Sequence, residues 1–160
     1  MKIYTLDDVR ELVDKYNDII NFGAEDDEDN ETDDLLIKKA EKALGLQFTS
    51  SYKVFLKKYG GGEIGGEEIC SVYDTDFEIV RSDDIVYKNL NYRKKGFATP
   101  EQLVVSRTDF GETFYFDYTQ FRDGECPLYL KFPPKDPQYY ASNFYEFLCK
   151  RIKDHAGEYS

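Results

Sequence analysis

The residues in this chain that could do chemistry are glycines and carboxylates. Gly60-Gly61-Gly62-Glu63-Ile64-Gly65 satisfies the G-x-G-x-x-G spacing of a dinucleotide-binding turn, which works by aiming the N–H groups of a helix N-terminus at a pyrophosphate. That geometry needs a strand before the glycines and a helix after them. Here the apolar pattern puts a helix before, and Glu63, Glu67 and Glu68 would repel phosphate, so the segment reads as a helix-to-strand turn. Glu67, Glu68, Asp74 and Asp76 could form a carboxylate pair for glycoside hydrolysis or a cation site. A hydrolytic pair needs surroundings that drive two pKa values apart, and calcium needs spaced oxygens about a fixed turn. Neither pattern is present, and 32 acids in 160 residues make such neighbours ordinary. His155 has no Ser or Cys motif to activate and reads as a solvated histidine facing the last carbonyls of a helix. Cys70, Cys126 and Cys149 are odd in number, lack C-x-x-C spacing, and have only one histidine to share a metal with. They read as buried free thiols in a reducing cytoplasm. No catalytic residue, cofactor or metal site is expected.

Binding is a better use for these side chains. The chain holds 14 Tyr and 12 Phe and no Trp, and a tyrosine, with an apolar body and a polar tip, suits a half-wet contact surface. Tyr73, Tyr87, Tyr92, Tyr115, Tyr118, Tyr139 and Tyr140 fall outside the apolar helical stripes. On Glu112 to Asp117 the two-residue period puts Phe114 and Phe116 on one face and Tyr115 and Asp117 on the other. With the phenylalanines inward, Tyr115 and Asp117 point outward, beside Tyr73, Asp74 and Asp76, and with Glu67 and Glu68 they make an acidic, aromatic partner-binding patch. An ordinary solvated sheet is the competing reading.

Charge narrows the partner. The net charge is −11, and Glu25 to Asp34 holds eight acids and no base, so removing those eight leaves only −3. Such a run repels itself and reads as a flexible acidic loop at about 24–34. It would also steer a basic partner inward, whereas nucleic acid and anionic membranes would be repelled. The N-terminal MKIYTLDDVRE lacks an apolar h-region, and no segment is apolar for long enough to span a bilayer. A cytoplasmic protein is expected.

The elements that must position these residues follow from periodicity. Thr5 with Asp8 three residues on can cap a first helix buried through Val9, Leu12, Val13, Tyr16, Ile19 and Ile20. Leu36, Ile37, Ala40, Ala43 and Leu44 form a second apolar stripe, and Tyr52, Phe55, Leu56 and Tyr59 a third. Each of the latter two helices runs into glycine, at Gly45 and at Gly60 to Gly62. Strands are expected at Ile69 to Tyr73, Leu103 to Arg107, Glu112 to Asp117 and Pro127 to Lys131, the last three as a meander, with a crossing helix near Asp84 to Arg93. Asn143 can cap a closing helix striped by Phe144, Phe147, Leu148 and Ile152. The order is α+β: an antiparallel sheet packed with N-terminal helices and a closing C-terminal helix.

Ala40-Glu41, Leu44-Gly45, Ser51-Tyr52-Lys53, Phe55-Leu56 and Tyr59-Gly60-Gly61-Gly62 stand in an order that resembles the SUKH superfamily, the Smi/Knr-like fold. Thr49 replaces a usual proline there, and its hydroxyl can cap the same boundary. Asp109 to Asp117, Asp123 to Pro127 and Asn143 to Leu148 resemble the family's later strands and closing helix. The resemblance covers most of the chain from Leu35 onward and implies one SUKH-like domain over 1–160. It further implies an immunity protein that binds and neutralises a cognate polymorphic toxin, frequently a nuclease. The acidic charge suits occlusion of a basic nuclease surface and needs no catalytic group. A regulatory protein-binding adaptor of the Smi/Knr type, without a toxin partner, is the alternative; a small hydrolase or sugar-binding module using Glu67 to Asp76 ranks last.

Overall fold

Polar caps set the helix starts. In the computed structural model, which describes residues 2–23, 34–73 and 80–158, α1 (Leu6–Lys15) begins where the Asp8 carboxylate accepts from the Thr5 backbone N–H at 2.8 Å. The expected acidic loop, up to residue 33, and Asp74 and Asp76 lie outside the described residues. After β1 (Ile20–Phe22) come α2 (Asp34–Leu44) and α3 (Ser50–Lys58). Thr49 caps α3 by accepting from the Tyr52 N–H at 3.2 Å, which keeps one orphan donor of the first turn satisfied. Glu125 supplies α3 with an anion as well, accepting from the Ser51 N–H at 2.7 Å and the Ser51 hydroxyl at 2.8 Å. Two segments 74 residues apart are thereby tied together.

The glycines then do the work of a turn. Gly60 and Gly61 take φ of 68° and 91° between α3 and β2 (Gly62–Ile64). At Gly62 a Cβ would lie 2.0 Å from the Asn21 carbonyl oxygen, so only glycine lets β1 and β2 approach there. β3 (Glu67–Ile69) completes a three-stranded antiparallel sheet of order β1-β2-β3. α4 (Ile85–Lys95) follows, capped by Asp84 and stopped by left-handed Gly96. A second antiparallel sheet runs in simple order through β4 (Gln102–Arg107), β5 (Thr113–Asp117), β6 (Leu128–Lys131) and β7 (Gln138–Ala141). The Cys70 N–H donates to the Val105 carbonyl at 2.9 Å and links the end of β3 to β4. α5 (Phe144–Ala156), capped by Asn143, closes the described chain.

The fold is α+β, with α3 and α5 laid on the inner face of the four-stranded sheet. Tyr52, Phe55, Phe116, Phe144 and Phe147 share edge-on and stacked ring contacts 4.9–6.2 Å apart, and the Tyr52 hydroxyl donates to the Cys70 carbonyl at 2.7 Å. All three cysteines are buried free thiols, and burial pushes each up to about 12.

Two boundaries differ from the sequence reading, and three strands are added to it. The first helix stops at Lys15, and Ile20, read as its buried face, belongs to β1. The strand expected at Ile69 to Tyr73 is β3, shifted to Glu67–Ile69, while Ser71 makes only an isolated bridge to Asp84. β1, β2 and β7 were not expected. Each has only three or four residues, too few for alternation to mark it reliably, and β1 in addition is held by a partner more than forty residues away in β2.

Candidate protein-binding site

An arginine on a buried stripe organises an open cleft. Arg151 lies seven residues after Phe144 on the face of α5 that carries Phe147 and Leu148, so its guanidinium is carried into the core beside Phe114, 4.6 Å from that ring. Glu67, the first residue of β3, meets it there. The Arg151 Nε donates to Glu67 Oε1 at 3.0 Å, Nη2 donates to the same oxygen at 2.5 Å, and the two side chains are 5% and 2% exposed. The Ser106 hydroxyl donates to the other carboxylate oxygen. His155 Nε2 lies 2.7 Å from Glu67 Oε1, and Arg151 Nη1 also donates to Asp154 at 3.0 Å. Burial pushes the Glu67 carboxyl up, but the bonds and charge of Arg151, aided by Ser106 and His155, outweigh it and hold the group below its ordinary value. Arg151 is also desolvated, and Glu67 more than compensates, raising it.

This network floors a cleft of about 550 Å³ between the Gly65-Gly66 turn, the β4–β5 hairpin and the end of α5. Its walls carry Glu68, Asp109, Glu112 and Asp154 as well as Glu67, against the cations Arg107 and Arg151, so carboxylates exceed guanidiniums by three. Phe110 at the hairpin tip is 83% exposed on its lip. An open, negative cleft with one projecting ring is suited to a basic protein surface, where a large aromatic anchors and the charges orient.

The structure brings together only part of the expected patch. Glu67 and Glu68 share the cleft, but Glu67 is buried and engaged, because Arg151 requires a carboxylate; only Glu68, which accepts from the Ser82 hydroxyl at 3.0 Å, is half-exposed. Tyr73 donates to Asp83 at 3.1 Å beneath the Arg81 guanidinium, and burial first, then Asp83, pushes its phenol up to about 12. Phe114 and Phe116 do face inward, and Tyr115 and Asp117 lie on the opposite face, but Tyr115 is buried rather than exposed. Ala98, Val104, Tyr92 and Tyr129 cover it, since the chain after α4 folds back over that side of the sheet. Asp117 caps the 3-10 turn Tyr118–Gln120 by accepting from the Thr119 N–H at 3.0 Å. Among the described residues, no hydrogen bond, ion pair or ring contact joins Tyr73 or Glu68 to Tyr115 or Asp117.

His155 stands exposed in the last turn of α5, as expected, but its ring turns onto Glu67 and the Gly65 turn, where a Cβ at Gly65 would lie 2.6 Å from its Nδ1. Arg151 and Phe110 were missed. Arg151 had a signal, since a cation in register with an apolar stripe demands a buried acid; Phe110 had none.

Among the described residues no helix is long and apolar enough to cross a membrane, and no group of His, Cys, Asp and Glu could hold a metal ion. Comparison with the curated proteins gives no match. A SUKH family model described as SMI1-KNR4 cell-wall matches residues 34–148, from the start of α2 into α5. That family is generally linked to immunity proteins that act by binding proteins, and it is not in general catalytic. With more than two thirds of its length matched, and with the helix pair, glycine turn, sheet and closing helix in the expected order, the chain belongs to the SUKH, or SMI1-KNR4, family.

Proposed function

We propose that this chain is a cytoplasmic immunity protein that binds a cognate polymorphic toxin, a nuclease, and occludes its basic surface. The cleft beneath the β4–β5 hairpin carries this reading: an excess of three carboxylates beside the exposed Phe110 ring. A nuclease must present cations to phosphate, and a carboxylate-lined surface can occupy the same place. The eight acids of Glu25 to Asp34 add a field that speeds encounter with a basic partner and is screened by salt. Occlusion of this kind uses no catalytic side chain or cofactor, and the same field disfavours direct contact with nucleic acid or an anionic membrane.

The contact residues in this reading are Glu68, Asp109, Phe110 and Glu112 at the cleft, with Tyr73 and the acids Asp74 and Asp76 flanking Glu68 in sequence. Glu67 positions the cleft, and Tyr115 and Asp117 support the sheet behind it. The test is co-expression with the toxin domain encoded beside the gene. The unmodified chain should restore growth, while E68K/E112K and F110A should fold normally and protect poorly, the former most strongly at low salt in a binding assay. Full protection by folded E68K/E112K removes the cleft from the interface. Failure of the unmodified chain to protect or bind favours a regulatory adaptor.

A further inference from the structure

Both edges of the four-stranded sheet are closed from within the chain, in the same manner. An edge strand presents unpaired N–H and C=O groups, a template on which another chain can add a strand. β4 is one edge and β7 the other. On β4 the Asn89 amide of α4 accepts from the Val104 N–H at 2.7 Å and donates to the Val104 carbonyl at 2.9 Å. The register with β5 shifts beside it, at Val105, whose carbonyl accepts from the Cys70 N–H. A bulge, a helical side chain and a neighbouring segment together close this edge.

β7 has no such neighbour. Among the described residues it pairs with β6 alone. Its four residues follow Pro137, and Tyr140 is an extra residue in the pairing, because Tyr139 and Ala141 stand opposite the adjacent Tyr129 and Leu128. A short strand, a proline and a bulge all discourage strand addition. α5 then supplies two side chains one turn apart. The Lys150 ammonium donates to the Tyr140 carbonyl at 2.5 Å, while one oxygen of Glu146 accepts from the Ser142 N–H at 2.6 Å and from the Ser142 hydroxyl at 2.9 Å. The other Glu146 oxygen pairs with Lys150 at 3.4 Å, and Lys150 lies over the Tyr140 ring, 5.2 Å from its centroid. A carbonyl and an N–H two residues apart at the sheet edge are thus taken by one charged pair.

We propose that Glu146 and Lys150 form a latch over a latent interface, and that once the latch is removed a second copy of this chain adds there, β7 against β7. The occupant follows from the two groups that the latch covers. In an antiparallel pairing of β7 with its own copy about Ala141, Tyr140 of one chain stands opposite Ser142 of the other. Each Tyr140 carbonyl then accepts from the Ser142 N–H of the facing chain, so the freed acceptor and donor satisfy each other twice across a two-fold axis. Such a contact uses the edge of both copies and ends at two chains. With the latch in place both groups already have partners, and a second copy has nothing to pair with. Neither Glu146 nor Lys150 lines the carboxylate-walled cleft, so the latch stands apart from the proposed toxin surface.

The experiment is sedimentation equilibrium on the intact chain over a wide range of concentration, with hydrogen exchange read at the Ser142 amide. Wild type should keep that amide protected at every concentration, because Glu146 holds it. E146A/K150M, which removes both bonds, should self-associate about tenfold or more tightly than wild type and level off at the mass of two chains. Its Ser142 amide should exchange freely when dilute and become protected when concentrated. E146Q/K150R retains an acceptor for the Ser142 N–H and a donor for the Tyr140 carbonyl, and should behave as wild type. Should E146A/K150M fail to melt as a folded domain, K150M alone, which leaves Glu146 on Ser142, should still self-associate more tightly than K150R. Equal self-association of E146A/K150M and wild type overturns the proposal. So does a dimer whose Ser142 amide stays unprotected, a mass that climbs past two chains, or wild-type Ser142 protection that falls on dilution.

Discussion

Replacing Arg151 with methionine tests the reasoning about the buried network most directly. Methionine keeps the aliphatic contact with Phe114 while leaving Glu67 buried, with only Ser106 and His155 to face it. Removing one partner of a buried ion pair costs about 3–5 kcal/mol, because the other charge stays desolvated. For a domain of this length each kcal/mol lowers Tm by about 2–4 °C, so R151M should melt roughly 6–20 °C lower at pH 8. The pH dependence has a definite sign. In the wild-type chain the folded Glu67 carboxyl lies below its ordinary value, so its contribution is fully present above the unfolded pKa and is lost as pH falls through the folded one. In R151M the burial remains and the compensating cation is gone, so the folded pKa rises above the unfolded value. Stability is then lost as pH rises, and the penalty against wild type should be largest at pH 8 and shrink toward pH 5, where Glu67 takes a proton. Urea unfolding of both proteins at pH 5, 6, 7 and 8 measures this, and E67Q/R151M should recover part of the loss. A penalty under about 1 kcal/mol at pH 8, or one equal at pH 5 and pH 8, would refute the account.

Three further outcomes are expected. Tyr52→Phe should cost about 1–3 kcal/mol in urea unfolding, since it leaves the buried Cys70 carbonyl without the hydroxyl that it accepts from at 2.7 Å. Gly62→Ala should cost well over about 1 kcal/mol and disturb β1–β2 pairing, visible as lost amide protection around Asn21, because a Cβ there meets the Asn21 carbonyl at 2.0 Å. The three thiols, each pushed up to about 12 by burial, should be inert to a disulfide reagent at pH 8 in the native chain and all react in urea.

The helices were legible because each announces itself twice, by an apolar stripe and by a cap. Thr5 with Asp8, Thr49 and Asn143 all cap where their chemistry suggested, and Gly45 takes the left-handed turn expected after α2. The small sheet was not legible, since β1, β2 and β3 have three residues each and exist through pairings between Ile20 and Ile64 or Gly62 and Ile69. At the candidate site the two-residue period correctly set Tyr115 and Asp117 opposite Phe114 and Phe116. Alternation says which way a side chain points and nothing about what lies above it, which is why the covering of Tyr115 by Ala98 and Tyr129 escaped the sequence. Asn89 was silent for a related reason. Its amide donates to the Ile85 and Val104 carbonyls and accepts from the Val104 N–H at the irregularity in β4, a buried role that local sequence does not encode.

A buried ion pair is weak evidence for stability, because two apolar residues of similar volume often serve as well or better. Its value here is geometric. Arg151 donates to Glu67 on β3 and Asp154 on α5, while Glu67 also accepts from Ser106 on β4. One guanidinium and one carboxylate therefore set the rotation of α5 against both sheets, and an apolar pair has no directional bonds with which to do that. With α5 so turned, Asp154 and His155 face the cleft while Phe144, Phe147 and Leu148 face the core. The cost of burying charge beneath the cleft thus yields a floor of fixed shape and sign, and the Ser82 and Thr108 hydroxyls hold the half-exposed carboxylates of Glu68 and Glu112 at its walls before any partner arrives.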